Sequence, residues 1–305
     1  MSYSTESPHV RKGQDKRPDV YQIVTDLVIE LLEKGEIPWQ KPWRGGAAGM
    51  PKNAISQKPY RGINVFMLAM TAEFKGYDAP YWVTFKQARE LGGNVKKGEK
   101  STLVVFWKVL EKDNPKSPDN PDTFPVLRYY RVFNVAQCED LDLSKLPDDA
   151  IDDAPDLDFS PIAACENVVK HFIKRPNIVH NSQQAYYSPS KDFINMPKRE
   201  TFQDEQHYYC VLFHELTHST GHERRLNRPG ITDLAAFGST SYSKEELVAE
   251  MGAAFLSGMC DITNQTIENS AAYLQGWLRK LKSDKKLVVQ AAAQAQKAAD
   301  YILGE

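Results

Sequence analysis

A chain of 305 residues with 41% hydrophobic and 26% charged residues has the composition of a globular protein and the length of two domains. Its apolar runs are too short to span a bilayer, and its polar start lacks the apolar segment of a secretory signal. We therefore expect a cytoplasmic protein without membrane contact. The formal net charge of −2 hides an asymmetry: residues 1–135 carry 21 lysines and arginines against 15 acids, and residues 136–305 carry 17 against 25. A basic first part favours an anionic partner.

Three helices followed by two strands are predicted for the front half of the chain (residues 16–138). PDVYQIVTDLVIELLEKG spaces its apolar residues at helical intervals and ends at Gly35. A second helix over GINVFMLAMTAEFKG ends at Gly76, and a short third helix over TFKQARELGG takes Thr84 as its N-cap. STLVVFWKVLEK and PVLRYYRVFNV read as strands, and we expect them to form an antiparallel pair.

An acidic stretch separates the front half from the back half (residues 161–305). Residues 139–161 contain nine acids and one lysine, a composition typical of an extended linker. Beyond it we predict a helix capped by Ser160, short strands in NIVHN and QAYYSPSKDFINMP, and a long helix over TFQDEQHYYCVLFHELTHSTGH. A helix capped by Ser243 and two C-terminal helices complete the prediction.

These elements indicate an α+β protein of two domains. We predict a disordered tail over residues 1–15, a nucleic-acid-binding domain over 16–138, an acidic linker over 139–160 and a second domain over 161–305. The four cysteines are scattered without a C-x-x-C pair, which favours reduced thiols over disulfides or a cysteine zinc site.

The run HELTH at residues 214–218 lies in the predicted long helix and has the spacing H-E-x-x-H. Residues four apart share one helical face, so the rings of His214 and His218 can bind one metal ion. Zn²⁺ prefers neutral imidazoles in a tetrahedral shell that leaves one position for water. Glu215 points beside the metal, and its carboxylate suits a general base for amide hydrolysis.

Several residues are candidates for the third metal ligand. The metzincin motif continues as H-E-x-x-H-x-x-G-x-x-H. Gly221 fits its glycine, but its last position is Arg224, which cannot bind a metal. His222, the residue after that glycine, is a weaker candidate. The helix over KEELVAE offers Glu246 and Glu250 on one face. In the gluzincin arrangement a ligand glutamate is followed one turn later by an acid that orients a histidine, so we assign Glu246 as ligand and Glu250 as orienting acid. Glu245 is expected to be exposed in the first turn of this helix, where the helix dipole favours an acid. The candidate oxyanion stabilisers are His180, Tyr187, His222 and Tyr242.

Cationic and aromatic residues interleave through the front half, for example in PWQKPWRGG, VKKGEK, VFWKV and LRYYRV. Such cations follow a phosphate backbone and such rings stack on unpaired bases, whereas the sequence has no motif for base-specific readout. We therefore predict sequence-independent binding of single-stranded DNA. Trp43, Tyr60 and Tyr130 are the predicted stacking rings, and Phe106 and Trp39 are expected in the core. The predicted DNA-binding residues are Lys41, Trp43, Arg44, Lys58, Tyr60, Arg61, Lys96, Lys97, Lys100, Lys108, Arg128, Tyr130 and Arg131.

Several stretches, in this order, resemble the ArdC-type antirestriction proteins of conjugative plasmids. They include PYRGINVFML, YWVTFKQARELGGNVKKGEKSTLVVFWK, YYCVLFHELTHSTGHERRL and EELVAEMGAAFL. The resemblance implies an N-terminal single-stranded-DNA-binding domain joined to a C-terminal zincin-like metallopeptidase domain with His214, Glu215 and His218 in place for hydrolysis. It also implies protection of incoming plasmid DNA from host restriction during conjugation. The front half is similar, in addition, to the accessory region of plasmid-borne primases.

Three functions fit the sequence. In the first, the front half binds single-stranded DNA and a zinc or manganese site cuts DNA-bound host proteins, such as restriction enzyme subunits. In the second, the protein protects the strand by coating it, and the metal site is structural or inactive. The linker favours this second function, because two linked domains can act separately. In the third, the chain is an ordinary cytosolic peptidase with a basic substrate-docking domain.

Overall fold

The fold is that of a computed structural model, which describes residues 19–40, 43, 49–112, 122–142, 144, 160–232, 240–263 and 270–305. The predicted tail over residues 1–15 and most of the predicted acidic linker lie outside these residues.

The described residues of the front half form three helices and six strands, and the strands belong to two sheets. They are α1 (Val20–Glu33), β1 (Lys52–Asn53), α2 (Ile63–Lys75), β2 (Tyr81–Val83), α3 (Phe85–Glu90), β3 (Asn94–Val95), β4 (Thr102–Lys112), β5 (Asp122–Asn134) and β6 (Cys138–Glu139). The Asp19 carboxylate caps α1 by accepting hydrogen bonds from two backbone N–H groups of its first turn. Thr84 caps α3 as predicted, and Gln87 completes a capping box.

The strands β4 and β5 form the predicted antiparallel pair. Their register places Val104 opposite Tyr130 and Phe106 opposite Arg128. The pair belongs to a four-stranded sheet with the order β1-β2-β5-β4, so β4 is an edge strand there, and β3 pairs with β6 separately. The inner part of β4 is attached to α2 by the Asn64 side chain, which exchanges two 2.7 Å hydrogen bonds with the backbone of residue 105.

The back half consists of helices around a short mixed sheet of order β7-β9-β8. Its elements are α4 (Pro161–His171), β7 (Asn177–Val179), β8 (Tyr186–Ser188), β9 (Phe193–Asn195), α5 (Glu205–Ser219), α6 (Pro229–Thr232), α7 (Thr240–Met259), α8 (Ala271–Ser283) and α9 (Leu287–Leu303). Ser160 caps α4 as predicted. The long helix α5 begins after Asp204, whose side chain accepts from His207 N, and therefore starts later than predicted. The predicted cap at Ser243 is wrong, because α7 already begins at Thr240.

Helices α5 and α7 lie unusually close together at a glycine. A Cβ atom on Gly252 would come within 2.4 Å of the Thr217 side chain, so any larger residue there would push the two helices apart. This close approach brings the acidic residues of α7 against the histidine-bearing face of α5.

The two halves share one apolar core. On α1, the buried residues Val24, Val28 and Leu32 belong to the same cluster as residues of α8 and α9, and the Phe66 ring of α2 lies 4.8 Å from the Phe255 ring of α7. Thr25 Oγ1 on α1 also donates to the backbone carbonyl of residue 285 at 2.7 Å. The α+β, two-domain prediction is confirmed. The front helices are nevertheless packed against the back half, which differs from the independence that the acidic linker suggested.

Two simpler predictions concern the cysteines and the membrane. All four cysteines are free and buried, as expected for reduced thiols. Within the described ranges, no helix combines the length and the apolar character that a membrane crossing requires.

Candidate functional site

Three predicted metal ligands meet between α5 and α7. The Nε2 atoms of His214 and His218 lie 3.1 Å apart, and each lies 3.6 Å from a carboxylate oxygen of Glu246. One ligand atom from each of the three residues lies within 4.8 Å of the others. Among the residues that the structure describes, no other group of three or more His, Cys, Asp or Glu side chains meets this spacing. The geometry favours Glu246 over Glu250 and His222 as the third ligand.

The donor set of this cluster fits a divalent cation. Two imidazoles and one carboxylate are a ligand combination found in catalytic zinc sites, and these donor types also bind other divalent transition metals. Burial lowers the pKa of His214, but its contact with Glu246 and the charges of Glu215 and Glu250 outweigh burial and raise that pKa to about 9. Three carboxylates, those of Glu215, Glu246 and Glu250, thus act on His214, and such surroundings suit a bound cation.

The other ring nitrogen of His218 contacts Glu245, which corrects two predictions. His218 Nδ1 lies 3.3 Å from Glu245 Oε1, so the acid placed to orient this ring is Glu245, whereas the sequence assigns that position to Glu250. Glu245 is buried rather than exposed, because α7 begins earlier than predicted and places this residue in its second turn. Arg228 donates to both carboxylate oxygens, at 2.9 and 2.6 Å. Burial raises the pKa of Glu245, but the hydrogen bonds from Arg228 and His218 outweigh burial and lower it.

Glu250, one turn beyond Glu246, links the metal centre to the front half. Its Oε2 accepts a 2.9 Å hydrogen bond from Trp39 Nε1 and a second one from the Tyr273 hydroxyl. Trp39 is fully buried, as predicted. Removal from water raises the pKa of Glu250, while the hydrogen bond from Tyr273 and the charge of His214 act in the opposite direction. An indole from the front half thus fixes a carboxylate that interacts electrostatically with a candidate metal ligand.

A cavity of about 390 Å³ opens over the candidate metal site formed by His214, His218 and Glu246. The buried side chain of Glu215 lines it beside the three candidate ligands. Its remaining lining residues are Ala185, Tyr186, Tyr187, Pro189, Gly230, Ile231 and Glu245. The cavity therefore holds the candidate general base next to the candidate ligands, with apolar and aromatic residues on its other walls.

The candidate oxyanion stabilisers lie in different places. Tyr187 lines the cavity, but its hydroxyl donates to Asp192 Oδ1 at 2.8 Å. The Nδ1 atom of His180 hydrogen-bonds to the carbonyl of residue 196, and His222 Nδ1 accepts from the backbone N–H of residue 224, outside the cavity. The side chain of Tyr242 lies outside the described parts of the chain. No oxyanion stabiliser follows from these contacts.

Two of the predicted DNA-binding side chains are buried, and a third forms an ion pair with the back half. Trp43 and Tyr60 are each only 7% exposed, and the Trp43 ring lies 6.4 Å from the ring of Phe255. This corrects the expectation that both rings are available for stacking: neighbouring cations suggested a surface position, but contacts with distant residues bury them. Arg61 pairs with Asp300 of α9. The predicted residues Lys41 and Arg44 lie outside the described residues.

Four of the other predicted DNA-binding residues lie on β4 and β5. Lys108, Arg128 and Tyr130 share one face of the strand pair. Phe106, which was expected in the core, lies on the same face and is 42% exposed, because burial on this face ends at Val104. The remaining residues are placed as follows: Arg131 faces the opposite side and donates to Ser101 Oγ, Lys96 donates to the Ala136 carbonyl, and Lys58, Lys97 and Lys100 are exposed.

Two family models match this chain. Residues 18–133 match the N-terminal domain of anti-restriction factor ArdC, and residues 166–294 match a zincin-like metallopeptidase. Two crystal structures of the antirestriction protein ArdC from plasmid R388 are 39% identical in sequence. The metal-free structure has a TM-score of 0.73 and the Mn(II)-bound one 0.72, with 93% and 94% of this chain and 97% of that chain covered. The Mn(II)-bound relative and the metallopeptidase match support a divalent metal at the cluster described above.

Relatives by sequence fall into two kinds. The uncharacterized protein y4eC of Sinorhizobium fredii is 33% identical over 93% of this chain and 91% of its own length. Two DNA primases named TraC, both of Escherichia coli, are also 33% identical, over 95% and 94% of this chain. The chain spans only 20% and 27% of the length of these primases, so the likeness covers a part of each.

Proposed function

Because this chain belongs to the ArdC family of antirestriction proteins, we propose that it binds single-stranded DNA without sequence specificity and cleaves DNA-bound proteins at a divalent-metal centre. Its role is to protect incoming plasmid DNA from host restriction during conjugation, and its targets are host proteins such as restriction enzyme subunits. The observation that carries the proposal is the meeting of His214, His218 and Glu246 beside Glu215 in one cavity.

The chain's own residues would divide the chemistry as follows. His214, His218 and Glu246 would hold the ion, which when bound supplies a Lewis acid for amide hydrolysis. Glu215 has no place among the ligands, and its carboxylate would accept a proton from water and return it to the leaving amine. Glu245 would keep the Nε2 atom of His218 directed at the cavity by holding the opposite nitrogen.

The shared core favours joint action of the two halves over coating alone. Trp39 of the front half hydrogen-bonds to Glu250 beside the metal cluster, and α1 and α2 pack on helices of the back half. DNA bound to the front half would therefore lie at a fixed place relative to the cavity. Such tethering raises the effective concentration of any protein on the same strand.

Replacement of Glu246 by glutamine is expected to weaken divalent-metal binding by more than the roughly 10- to 100-fold that loss of an outer partner costs. The amide removes the charged ligand but keeps the side chain's size. Calorimetric titration of the metal-free full chain with Zn²⁺ and with Mn²⁺ measures the affinity and shows which ion binds more tightly. Glu223→Gln is the matched control, since Glu223 is exposed and does not line the cavity. Equal affinities for the two variants would contradict the assignment of Glu246.

The full chain is expected to bind a fluorescein-labelled 20-nucleotide oligo(dT) more tightly than a 20-base-pair duplex. Since cations contact phosphates, the logarithm of the affinity is expected to fall linearly with the logarithm of salt concentration, by about 0.7 per phosphate contact on a single strand. Fluorescence anisotropy at several salt concentrations measures both quantities. A preference for the duplex, or no binding to either probe, would contradict the DNA-binding half of the proposal.

A further inference from the structure

One face of the β4–β5 pair carries exposed rings and cations that the proposed function does not assign to a defined surface. We propose that this face is the platform on which single-stranded DNA stacks. The platform consists of Phe106, Lys108, Phe124, Arg128 and Tyr130. The proposal rests on the DNA binding proposed above and specifies where the strand lies.

The strand register places these five side chains on one face. Directly opposite residues of an antiparallel pair share a face, and alternate residues of one strand do the same. Tyr130 lies opposite Val104, Arg128 opposite Phe106, and Phe124 opposite Leu110. Along the pair the order is therefore Tyr130, then Phe106 beside Arg128, then Lys108, and then Phe124.

The rings of the platform are accessible to a ligand. Phe106, Phe124 and Tyr130 are 42%, 41% and 37% exposed. The Phe106 and Tyr130 rings contact each other edge-on at 5.7 Å, which orients them without covering them. Several exposed rings clustered on one face are costly for solubility and invite a partner.

The opposite face of the same strand pair is different. Its Trp107 ring lies 6.2 Å from Tyr21 of α1, so a helix of the protein itself occupies part of that face. Val105 and Leu127 of that face are buried. Both faces are open at the outer end, since Trp107 and Val109 on the opposite face are 46% and 62% exposed. What distinguishes the platform is that its exposed rings lie beside the cations Lys108 and Arg128.

The chemistry of the platform matches an extended, unpaired nucleic-acid strand. Residues two apart on a strand are about 7 Å apart, so the platform spans about 20 Å along β4 and β5. Rings at such steps can stack on unpaired bases while Lys108 and Arg128 contact phosphates. In these two strands, the acid on the same face is Asp122, at the outer end of the register. Bases in a duplex are already stacked and paired, so the platform predicts selectivity for single strands.

Substitutions on the platform test the proposal in the full chain with the oligo(dT) and duplex probes defined above. Phe106→Ala and Tyr130→Ala are each expected to weaken oligo(dT) binding at least fivefold, as expected for one lost stacked base. Phe106→Trp keeps a stacking ring and is expected to retain wild-type affinity. Val109→Ala is the control on the opposite face, where Val109 is 62% exposed, and it is expected to leave the affinity unchanged.

The cations give an independent measurement. Lys108→Gln and Arg128→Gln are each expected to reduce the slope of log affinity against log salt by about 0.7, a change that a purely structural defect would not produce. Melting temperatures within about 2–3 °C of wild type show that the variants fold. If the wild-type chain binds oligo(dT) but the alanine variants bind equally well, the platform is wrong and the DNA-binding proposal stands. That result would leave a protein partner as the occupant of this face. If the wild-type chain binds no oligonucleotide, both proposals fail.

Discussion

Replacement of Glu215 by glutamine is expected to reduce protein cleavage by about 100- to 10,000-fold, the usual contribution of a general acid–base. Glutamine keeps the shape of the side chain but cannot accept a proton from water. Since Glu215 is not one of the three clustered ligands, the metal affinity and the melting temperature are expected to change little. The measurement is the rate at which the metal-loaded full chain cleaves fluorescein-labelled casein coupled to a single-stranded oligonucleotide.

A matched control for this experiment lies on the same helix. Glu205→Gln makes the same chemical change at the exposed first residue of α5, far from the HELTH segment, and is expected to leave the cleavage rate unchanged. Uncoupled casein tests the contribution of the DNA tether, since it should be cleaved more slowly at equal concentration. If the metal-loaded wild-type chain cleaves neither form of casein, hydrolysis is contradicted and strand coating with a structural metal becomes the better explanation.

The candidate metal site can be predicted from the sequence because two of its three residues lie four positions apart on one helix. His214 and His218 share a face in any α-helix, so their convergence needs no tertiary information. Glu246 depends on tertiary structure, because it reaches the histidines only where α7 packs closely on α5, as it does at Gly252. Arg228 gave no sequence signal, because its role depends on a pair with Glu245 that forms only when the segment after α5 folds back.

The solvent exposure of aromatic side chains in the front half is harder to predict than the secondary structure there. Caps and alternation located α1, α3, β4 and β5, since these signals lie within a few residues of each element. The burial of Trp43 depends on Phe255, more than 200 residues away, and the exposure of Phe106 depends on where the cover over β4 ends. Contacts between residues far apart in the sequence cannot be read from a local pattern. The cations near Trp43 therefore predict a surface position, and the alternation around Phe106 predicts a core position.

Replacement of Glu245 by glutamine is expected to lower the free energy of unfolding by about 3–5 kcal/mol, the cost of leaving one member of a buried ion pair without its partner. The Arg228 guanidinium is buried and donates to both Glu245 oxygens, while its other N–H groups are held by Thr220 Oγ1 and the carbonyl of Thr217. No other carboxylate among the described residues pairs with Arg228, so its charge would stay buried and uncompensated. Urea unfolding of the metal-free chain measures this loss without a contribution from bound ion.

Three comparisons separate the ion pair from other causes of instability. Glu246→Gln, on the same helix, is expected to cost less stability in the metal-free chain, because Glu246 is less buried than Glu245. The double variant Glu245→Gln with Arg228→Met is expected to recover part of the loss, since no unpaired charge remains. The pKa of Glu245 is lowered in the fold, so its stabilisation is complete above the pKa of an unfolded glutamate and disappears as the pH falls through the folded-state pKa. The stability difference between wild type and Glu245→Gln should therefore shrink in acid. A difference that is absent at neutral pH, or that grows in acid, would contradict the role assigned to this pair.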